Sequence, residues 1–121
     1  MNYVIIGNSA AAIGTIEGIR QVDQEGGITV IADEKYHTYS RPLISYLIAD
    51  KTDEQRMKYR PDDFYQKMRT QVLLGTKVTG LRPDKHTVIL QDGRSIAYDK
   101  LMVATGSRPF VPEMKGLRSV P

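Results

Sequence analysis

The chain has 121 residues, of which 40% are hydrophobic and 26% are charged, and it carries a net charge of +3. This composition is typical of a globular protein and excludes disordered and fibrous classes, while the length predicts one domain with one core. The 17 basic and 14 acidic residues are spread along the chain. Because they form no basic arm or block, we do not expect a nucleic-acid-binding protein.

Several further classes are excluded by residues that the sequence lacks. No segment approaches the length of about 18 apolar residues that a transmembrane helix needs, and the first apolar run is too short for a signal peptide. We therefore expect a cytoplasmic protein without a membrane partner. The chain has no cysteine, so it has no thiolate nucleophile, redox disulfide or cysteine-ligated cluster. His37 and His86 lack metal-ligand spacing, and we expect no metal site.

The first 32 residues predict a strand, a helix and a second strand. Residues 2–6, "NYVII", form a brief β-branched run that ends at Gly7, which is typical of a short buried strand. From about Ser9 to Val22, isoleucines recur at helical spacing. We expect residues 24–27, "QEGG", to end the helix, because glycines 26 and 27 are able to take positive φ after the last turn. Residues 28–32, "ITVIA", should form a strand parallel to the first.

The middle of the chain predicts two short helices. The Arg41-Pro42 pair disfavours helix at Arg41, and "LISYLIA" at 43–49 predicts a short helix after it. Pro61 then opens a second predicted helix over 62–70, "DDFYQKMRT", because proline is well tolerated in a first turn.

Beyond residue 75 the hydrophobic period changes to two, which indicates strands. A β-meander is predicted at about 76–98, with an Asp92-Gly93 hairpin turn. A buried strand, "KLMVA", follows at 100–104, and the proline-containing residues 111–121 predict a connection leading out of the domain.

The first turn has the features of a nucleotide-binding loop. In the pattern G-x-G-x-x-G/A, Gly7 makes the tight turn and Ala12 allows close packing of the helix on the sheet. Ser9 departs from the pattern, since its Cβ takes space that a phosphate would occupy, although its hydroxyl could donate to the same oxygen. Asp33 or Glu34 stands where a ribose-binding acid is expected. A close-packed turn without a ligand is the alternative interpretation.

Four stretches carry a resemblance to a known family. They are "YVIIGNSAAA" at 3–12, "TVIADEKYHTYSRPLIS" at 29–45, "GTKVTGLRPDKHTVILQDG" at 75–93 and "YDKLMVATGSRP" at 98–109. The chain resembles the N-terminal part of the FAD domain in FAD-dependent pyridine nucleotide-disulfide oxidoreductase-type enzymes, especially the branch of rubredoxin reductases, ferredoxin reductases and the nitrite reductase large subunit. The resemblance implies a Rossmann-like, three-layer α/β fold of the kind that binds FAD or NAD(P), with a parallel sheet and a small antiparallel meander. Residues 1–110 would form the N-terminal segment of this domain, so the fold is expected to be incomplete.

The resemblance also implies a set of cofactor-binding residues. Asp33, with Glu34 as second choice, would hold the adenosine ribose, Arg41 and Pro42 would lie on the flavin side, and Val78 would contact adenine through its backbone. The full set is Gly7, Asn8, Ser9, Ala10, Ala11, Ala12, Asp33, Glu34, Arg41, Pro42, Val78, Ala104, Thr105, Gly106 and Arg108. The structural alternatives are a solvated charge for Arg41, a core position for Val78 and a plain turn at residues 105–106. No catalytic residue is expected.

The missing cysteine favours the branch of this family that uses no thiol. There the flavin takes hydride from NADH or NADPH and passes electrons singly to an iron-sulfur, rubredoxin or haem partner. The tyrosines are expected to pack their rings rather than to act in catalysis. They include Tyr36, Tyr39, Tyr46, Tyr59 and Tyr65.

The resemblance further implies that the sequence is a piece of a longer oxidoreductase. A second glycine fingerprint for the nicotinamide cofactor and a later acidic motif are absent, as is the strand that closes the domain. We therefore expect the isolated chain to be inactive, to bind FAD weakly and to form homo-oligomers through an unpaired sheet edge. A stand-alone module that binds NAD, AMP or CoA is the alternative.

Overall fold

The computed structural model describes residues 1–35, 38, 48–50, 53 and 60–106. Its elements are, in chain order, β1 (Asn2–Ile6), α1 (Ala10–Val22), β2 (Gly27–Ile31), α2 (Phe64–Lys67), β3 (Thr70–Leu73), β4 (Val78–Arg82), a 3₁₀ turn (Pro83–Lys85), β5 (Thr87–Leu90), β6 (Ser95–Ala97) and β7 (Lys100–Val103). The helix predicted over 43–49 lies almost entirely outside the described residues, as does the connection predicted over 111–121.

Four strands form a parallel sheet in the order β3-β2-β1-β7. On one side of β1, Ile6 lies opposite Ile31 of β2, and on the other side it lies opposite Val103 of β7. After β1 the chain first adds β2 and β3 along one edge of β1, and later adds β7 along the other edge. All three strands end at the same edge.

The second sheet is the antiparallel meander β4-β5-β6, as the sequence predicts. The turn between β5 and β6 holds Gly93 at φ +90°, where its N–H donates to the Leu90 carbonyl at 3.0 Å. The Asp92-Gly93 hairpin is therefore confirmed, because glycine takes positive φ without steric cost.

The alternation of side chains along β1 and β2 gives the parallel sheet two buried faces. One face packs against the helical layer through Ile5, Ala12, Ile13, Ile16, Ile28, Val30, Phe64 and Ala104. The other packs against the meander through Val4, Ile31, Val88 and Leu90. Helix, parallel sheet and meander form the three layers that the resemblance implies.

The strand predicted over 100–104 forms, but its prediction as a buried strand is wrong. Met102 is 39% exposed and Val103 58% exposed, although Ala104 is buried. The physical reason is position, since β7 pairs with β1 and with no other strand among the described residues.

Among the residues that the structure describes, no helix combines the length and the apolar character needed to cross a bilayer.

Glycines 26 and 27 follow α1, but neither takes the positive φ that is open to them. The helix ends at Val22, and Asp23 caps it with extended backbone at φ −140°. The Asp23 carboxylate accepts hydrogen bonds from the N–H groups of Glu25 and Gly26 and from the Tyr3 hydroxyl, and these bonds lower its pKa below the usual value. Gly26 is needed for space, because a Cβ there would lie 2.8 Å from the Met1 carbonyl oxygen.

The helix predicted over 62–70 is wrong in extent. It spans only Phe64–Lys67, and Arg69 takes φ +51° before β3 begins at Thr70. The sequence analysis missed β3 because pairing with β2, in which Thr70 lies opposite Ile28, determines its conformation. At Thr70, the last residue of the predicted helix, strand pairing overrides the local helical tendency.

A close backbone contact joins the ends of β1 and β7. Gly7 has φ +115°, and its N–H donates to the Ile31 carbonyl at 2.8 Å. A Cβ added to Gly7 would lie 2.0 Å from the Ala104 carbonyl oxygen. Only glycine fits this position, both because of its φ and because of the space.

Arg20 generates the first prediction. Its guanidinium donates to four backbone carbonyls, those of Asp23, Gly26, Met68 and Arg69, at 2.8 to 3.1 Å. Arg20→Lys keeps the charge but loses the planar fork, so we expect the free energy of unfolding to fall by about 1–3 kcal/mol in urea titrations. The matched change at exposed Arg82 should leave it unchanged, and equal effects of the two changes would contradict this role.

Gly7 generates the second prediction. Gly7→Ala should lower the free energy of unfolding by about 3 kcal/mol or more, because the new Cβ clashes with Ala104 and φ is unfavourable. Gly14→Ala is the matched control, since Gly14 lies in α1 with no atom near its added Cβ. That change should stabilise the chain by about 0.5–1 kcal/mol. Equal stability of the wild-type and Gly7→Ala chains in thermal and urea unfolding would refute the close contact.

Candidate functional site

Three segments meet at the carboxyl edge of the parallel sheet. They are the turn after β1 (Gly7–Ala12), the segment after β2 (Ala32–Glu34) and the segment after β7 (Ala104–Gly106). β2 and β7 lie on opposite sides of β1. The turn after β1 therefore lies at the point where the strand order of the sheet reverses. Ligands of open α/β sheets bind at such switch points, outside the carboxyl ends of the strands.

The turn leads into the amino end of α1 with its polar groups open. Ser9 is the N-cap residue, and its side chain makes no capping hydrogen bond. The first backbone bond of the helix runs from the Ile13 N–H to the Ser9 carbonyl at 3.1 Å, so the N–H groups of residues 10–12 have no acceptor within the helix. Ala10 and Ala11 are exposed, and the first turn has no acidic residue. This end of the helix can accept an anion.

Ala12 has the packing role that the sequence predicts. It is fully buried in the core between α1 and the sheet. Its small side chain therefore lets the helix pack closely on the sheet.

Asn8 contributes a second polar group to the turn. Its Oδ1 accepts a hydrogen bond of 2.6 Å from the hydroxyl of Tyr65, which comes from α2. Its Nδ2 is buried and has no hydrogen-bond partner among the described residues. Burial raises the pKa of Tyr65, so its hydroxyl stays protonated and remains a donor.

The segment after β2 carries the two candidate ribose ligands. Ala32 is fixed on both sides, since its N–H donates to the Leu73 carbonyl and its own carbonyl accepts from Thr76. Asp33 is exposed at this edge, whereas Glu34 is half-buried and its carbonyl accepts from the Gly75 N–H. Exposure leaves the Asp33 carboxylate available to a ligand.

The segment after β7 begins buried and becomes exposed. Ala104 is 7% exposed and packs in the core, while Thr105 and Gly106 are exposed and Gly106 takes φ +72°. The contact between Gly7 and Ala104 brings this segment against the first turn. Both segments therefore border the same edge.

The side chain of Val78 does not lie with the residues at the carboxyl edge of the parallel sheet. It is the first residue of β4 and packs against the core between the sheet and the meander. Its proposed contact with adenine involves backbone atoms and stays a prediction. Arg41, Pro42 and Arg108 lie outside the described residues.

The donor set fits the diphosphate of a dinucleotide cofactor. Open helix N–H groups and the unpartnered Asn8 Nδ2 are all donors, which matches the phosphate oxygens as acceptors. Gly7 has no Cβ, so the backbone can make a tight turn that brings these donors to the edge of the sheet. Gly7 to Ala12 would hold the diphosphate and Asp33 the ribose.

Sequence reasoning missed Tyr65 as a residue of this site, since it treated the tyrosines as packing residues. The hydroxyl contacts Asn8 across 57 positions of sequence, and no local pattern indicates such a contact. A weak signal was present, because Asn8 is the one large polar side chain in a turn whose other residues are small.

Comparisons with known proteins give the family. The family described as pyridine nucleotide-disulphide oxidoreductase matches residues 1–120. The chain is 35% identical over 118 residues to the NADH-dependent phenylglyoxylate dehydrogenase subunit epsilon of Aromatoleum evansii, covering 98% of the chain and 28% of that protein. It is 36% identical over 109 residues to putidaredoxin reductase CamA of Pseudomonas putida, covering 89% of the chain and 26% of that protein.

Solved structures agree in fold. The covalent putidaredoxin reductase-putidaredoxin complex matches with a TM-score of 0.85 and 35% identity, over 92% of this chain and 27% of that one. A NAD-dependent persulfide reductase from A. fulgidus matches with a TM-score of 0.89 and 28% identity, over 99% and 24%.

The matched relatives are much longer than this chain, which spans 26 to 28% of the length of those two curated relatives. Members of the family are FAD-containing, NAD(P)H-dependent reductases. The fold, the glycine turn and these matches together lead to one conclusion: the chain belongs to the pyridine nucleotide-disulphide oxidoreductase family.

Proposed function

We propose that the chain is the FAD-binding portion of an NAD(P)H-dependent flavoprotein oxidoreductase. In the complete enzyme, electrons pass from NAD(P)H through FAD to an iron-sulfur, rubredoxin or haem acceptor. Residues 1–110 contribute the N-terminal segment of the FAD-binding domain, and residues 111–121 lead out of it. The reductase works in the cytoplasm.

One observation carries the proposal, namely the donor-rich edge built around Gly7. The missing Cβ of Gly7, the open amino end of α1 and the buried Asn8 Nδ2 form a receptor for phosphate oxygens. The exposed Asp33 lies at the adjacent strand end. In dinucleotide-binding folds the diphosphate lies at the amino end of the helix after the first strand, and an acidic residue at the end of the next strand binds the ribose.

The role of Ser9 follows from its position at the N-cap. Its side chain makes no capping bond, so the hydroxyl is available as a donor to a phosphate oxygen. Asn8 and Ser9 thereby offset the loss of the second glycine of the usual fingerprint. Bound FAD supplies the electron chemistry, by accepting a hydride from the nicotinamide and releasing electrons one at a time.

The choice of acceptor rests on two lines of support. The chain has no cysteine, which is what a branch that transfers electrons without a reactive thiol requires of this segment. The names of similar proteins include a ferredoxin–NAD(+) reductase subunit and a rubredoxin–NAD(+) reductase, both from Pseudomonas putida. A small redox protein is therefore the proposed partner.

The exposed edge at β7 has a consequence for the isolated chain. Met102 and Val103 present apolar surface on a strand whose only described partner is β1. We propose that copies of the chain associate through this edge.

Asp33 provides the test of the proposal. Asp33→Ala should raise the dissociation constant for FAD about tenfold or more, because a charge-assisted hydrogen bond to the adenosine ribose is lost. FMN lacks the adenosine, so its dissociation constant should stay unchanged. Both are measured by quenching of flavin fluorescence on titration with the protein.

The control for this titration is Asp84→Ala, which removes an exposed carboxylate from the 3₁₀ turn of Pro83–Lys85. It should leave both dissociation constants unchanged. An Asp33→Ala chain that binds FAD as tightly as the wild type would contradict the assignment. Equal weakening for FAD and FMN would likewise contradict it, because the effect would then not involve the ribose.

A further inference from the structure

The Tyr65 hydroxyl contacts the turn that borders the proposed diphosphate position. It donates to Asn8 Oδ1 in the turn after β1, at 2.6 Å. It also makes a hydrogen bond with the backbone of Thr38, a residue only 1% exposed. The ring packs edge-on against Phe64, with centroids 5.5 Å apart, so the side chain is held in place from α2.

The proton balance of this hydroxyl fixes the orientation of the Asn8 amide. A tyrosine hydroxyl has one proton to donate. That proton goes to Asn8 Oδ1, which accepts it at 2.6 Å. The amide therefore presents Oδ1 to Tyr65 and keeps Nδ2 as a donor directed elsewhere.

That donor has no acceptor within the described chain, although it is buried. A buried donor without a partner costs about 1–3 kcal/mol, and such groups are rare in folded proteins unless a ligand uses them. Asn8 lies between the tight turn at Gly7 and the N-cap Ser9, which is the stretch that faces the open end of α1.

We propose that Tyr65 is a positioning residue, which holds the Asn8 amide so that Nδ2 donates a hydrogen bond to a phosphate oxygen of the bound dinucleotide. This inference rests on the proposed function, because it takes the diphosphate as the acceptor. Tyr65 itself does not contact the cofactor. Its effect on binding passes through Asn8.

The test is a double-mutant cycle with FAD as the ligand and fluorescence quenching as the measurement. Tyr65→Phe keeps the ring and removes the hydroxyl, and it should raise the dissociation constant for FAD about 3- to 10-fold. Asn8→Ala should raise it by at least as much. In the Asn8→Ala background, Tyr65→Phe should cause no further loss, since the group that it positions is gone.

Asn8→Asp tests whether the Asn8 side chain faces a phosphate. The carboxylate still accepts from the Tyr65 hydroxyl, but it places a charge at the buried position of Nδ2, so thermal unfolding is measured beside binding and a lower melting temperature is expected. It has no N–H to donate and repels the phosphates, so FAD affinity should fall more than in Asn8→Ala. FAD affinity in Asn8→Asp near the wild-type value would contradict a phosphate next to Asn8.

Tyr3→Phe is the matched control. It removes a tyrosine hydroxyl that donates to the Asp23 carboxylate at 2.8 Å, at the opposite end of α1. It should leave FAD affinity unchanged.

The outcomes separate this inference from the function that it assumes. FAD affinity in Tyr65→Phe within twofold of the wild type would overturn the inference alone. The same would follow if Tyr65→Phe weakened binding equally with and without Asn8. A wild-type chain that bound no FAD would overturn the proposed function together with the inference.

Discussion

The contact between Gly7 and the Ala104 carbonyl is the constraint on which the candidate site depends. With no room for a Cβ and with φ at +115°, the backbone turns sharply out of β1 and passes directly against the end of β7. This turn leads directly from the carboxyl end of β1 into α1. The helix N–H groups, Asn8 and the segment after β7 then border one edge, so a local steric requirement creates the geometry that we propose binds phosphate.

Burial of both faces of the parallel sheet fixes the pairing register of its strands, and therefore the position of that edge. Ile5 and Val30 pack on the helical side, while Val4 and Ile31 pack against the meander. A slip of one residue in any strand would exchange these faces, so burial specifies the register strongly. The same register places the last residues of β1, β2 and β7 together, and the core thereby determines which polar residues can meet at the site.

The elements predicted correctly from the sequence are those with a local physical cause. The short strand before Gly7, the helix up to Val22 and the turn at Gly93 follow from hydrophobic period and glycine chemistry. β3 follows from pairing with β2, and the role proposed for Tyr65 follows from a contact across 57 residues. Both depend on the assembled fold, so no local pattern predicts them. The glycine turn at Gly7 and the acidic residue Asp33 could be predicted, because the length of a strand-helix-strand unit dictates their separation in sequence. The unpartnered Nδ2 of Asn8 could not, because it depends on the contact with Tyr65.

The central claim is that this edge binds FAD, and the visible absorption spectrum of the wild-type chain tests it most directly. The chain is dialysed to equilibrium against FAD, and the nucleotide in excess on the protein side is identified after release by heat. The account predicts excess FAD on the protein side, a flavin spectrum changed by binding, and quenching of flavin fluorescence that saturates on titration. Equal FAD concentrations on the two sides, with an unchanged spectrum and no quenching, would contradict it.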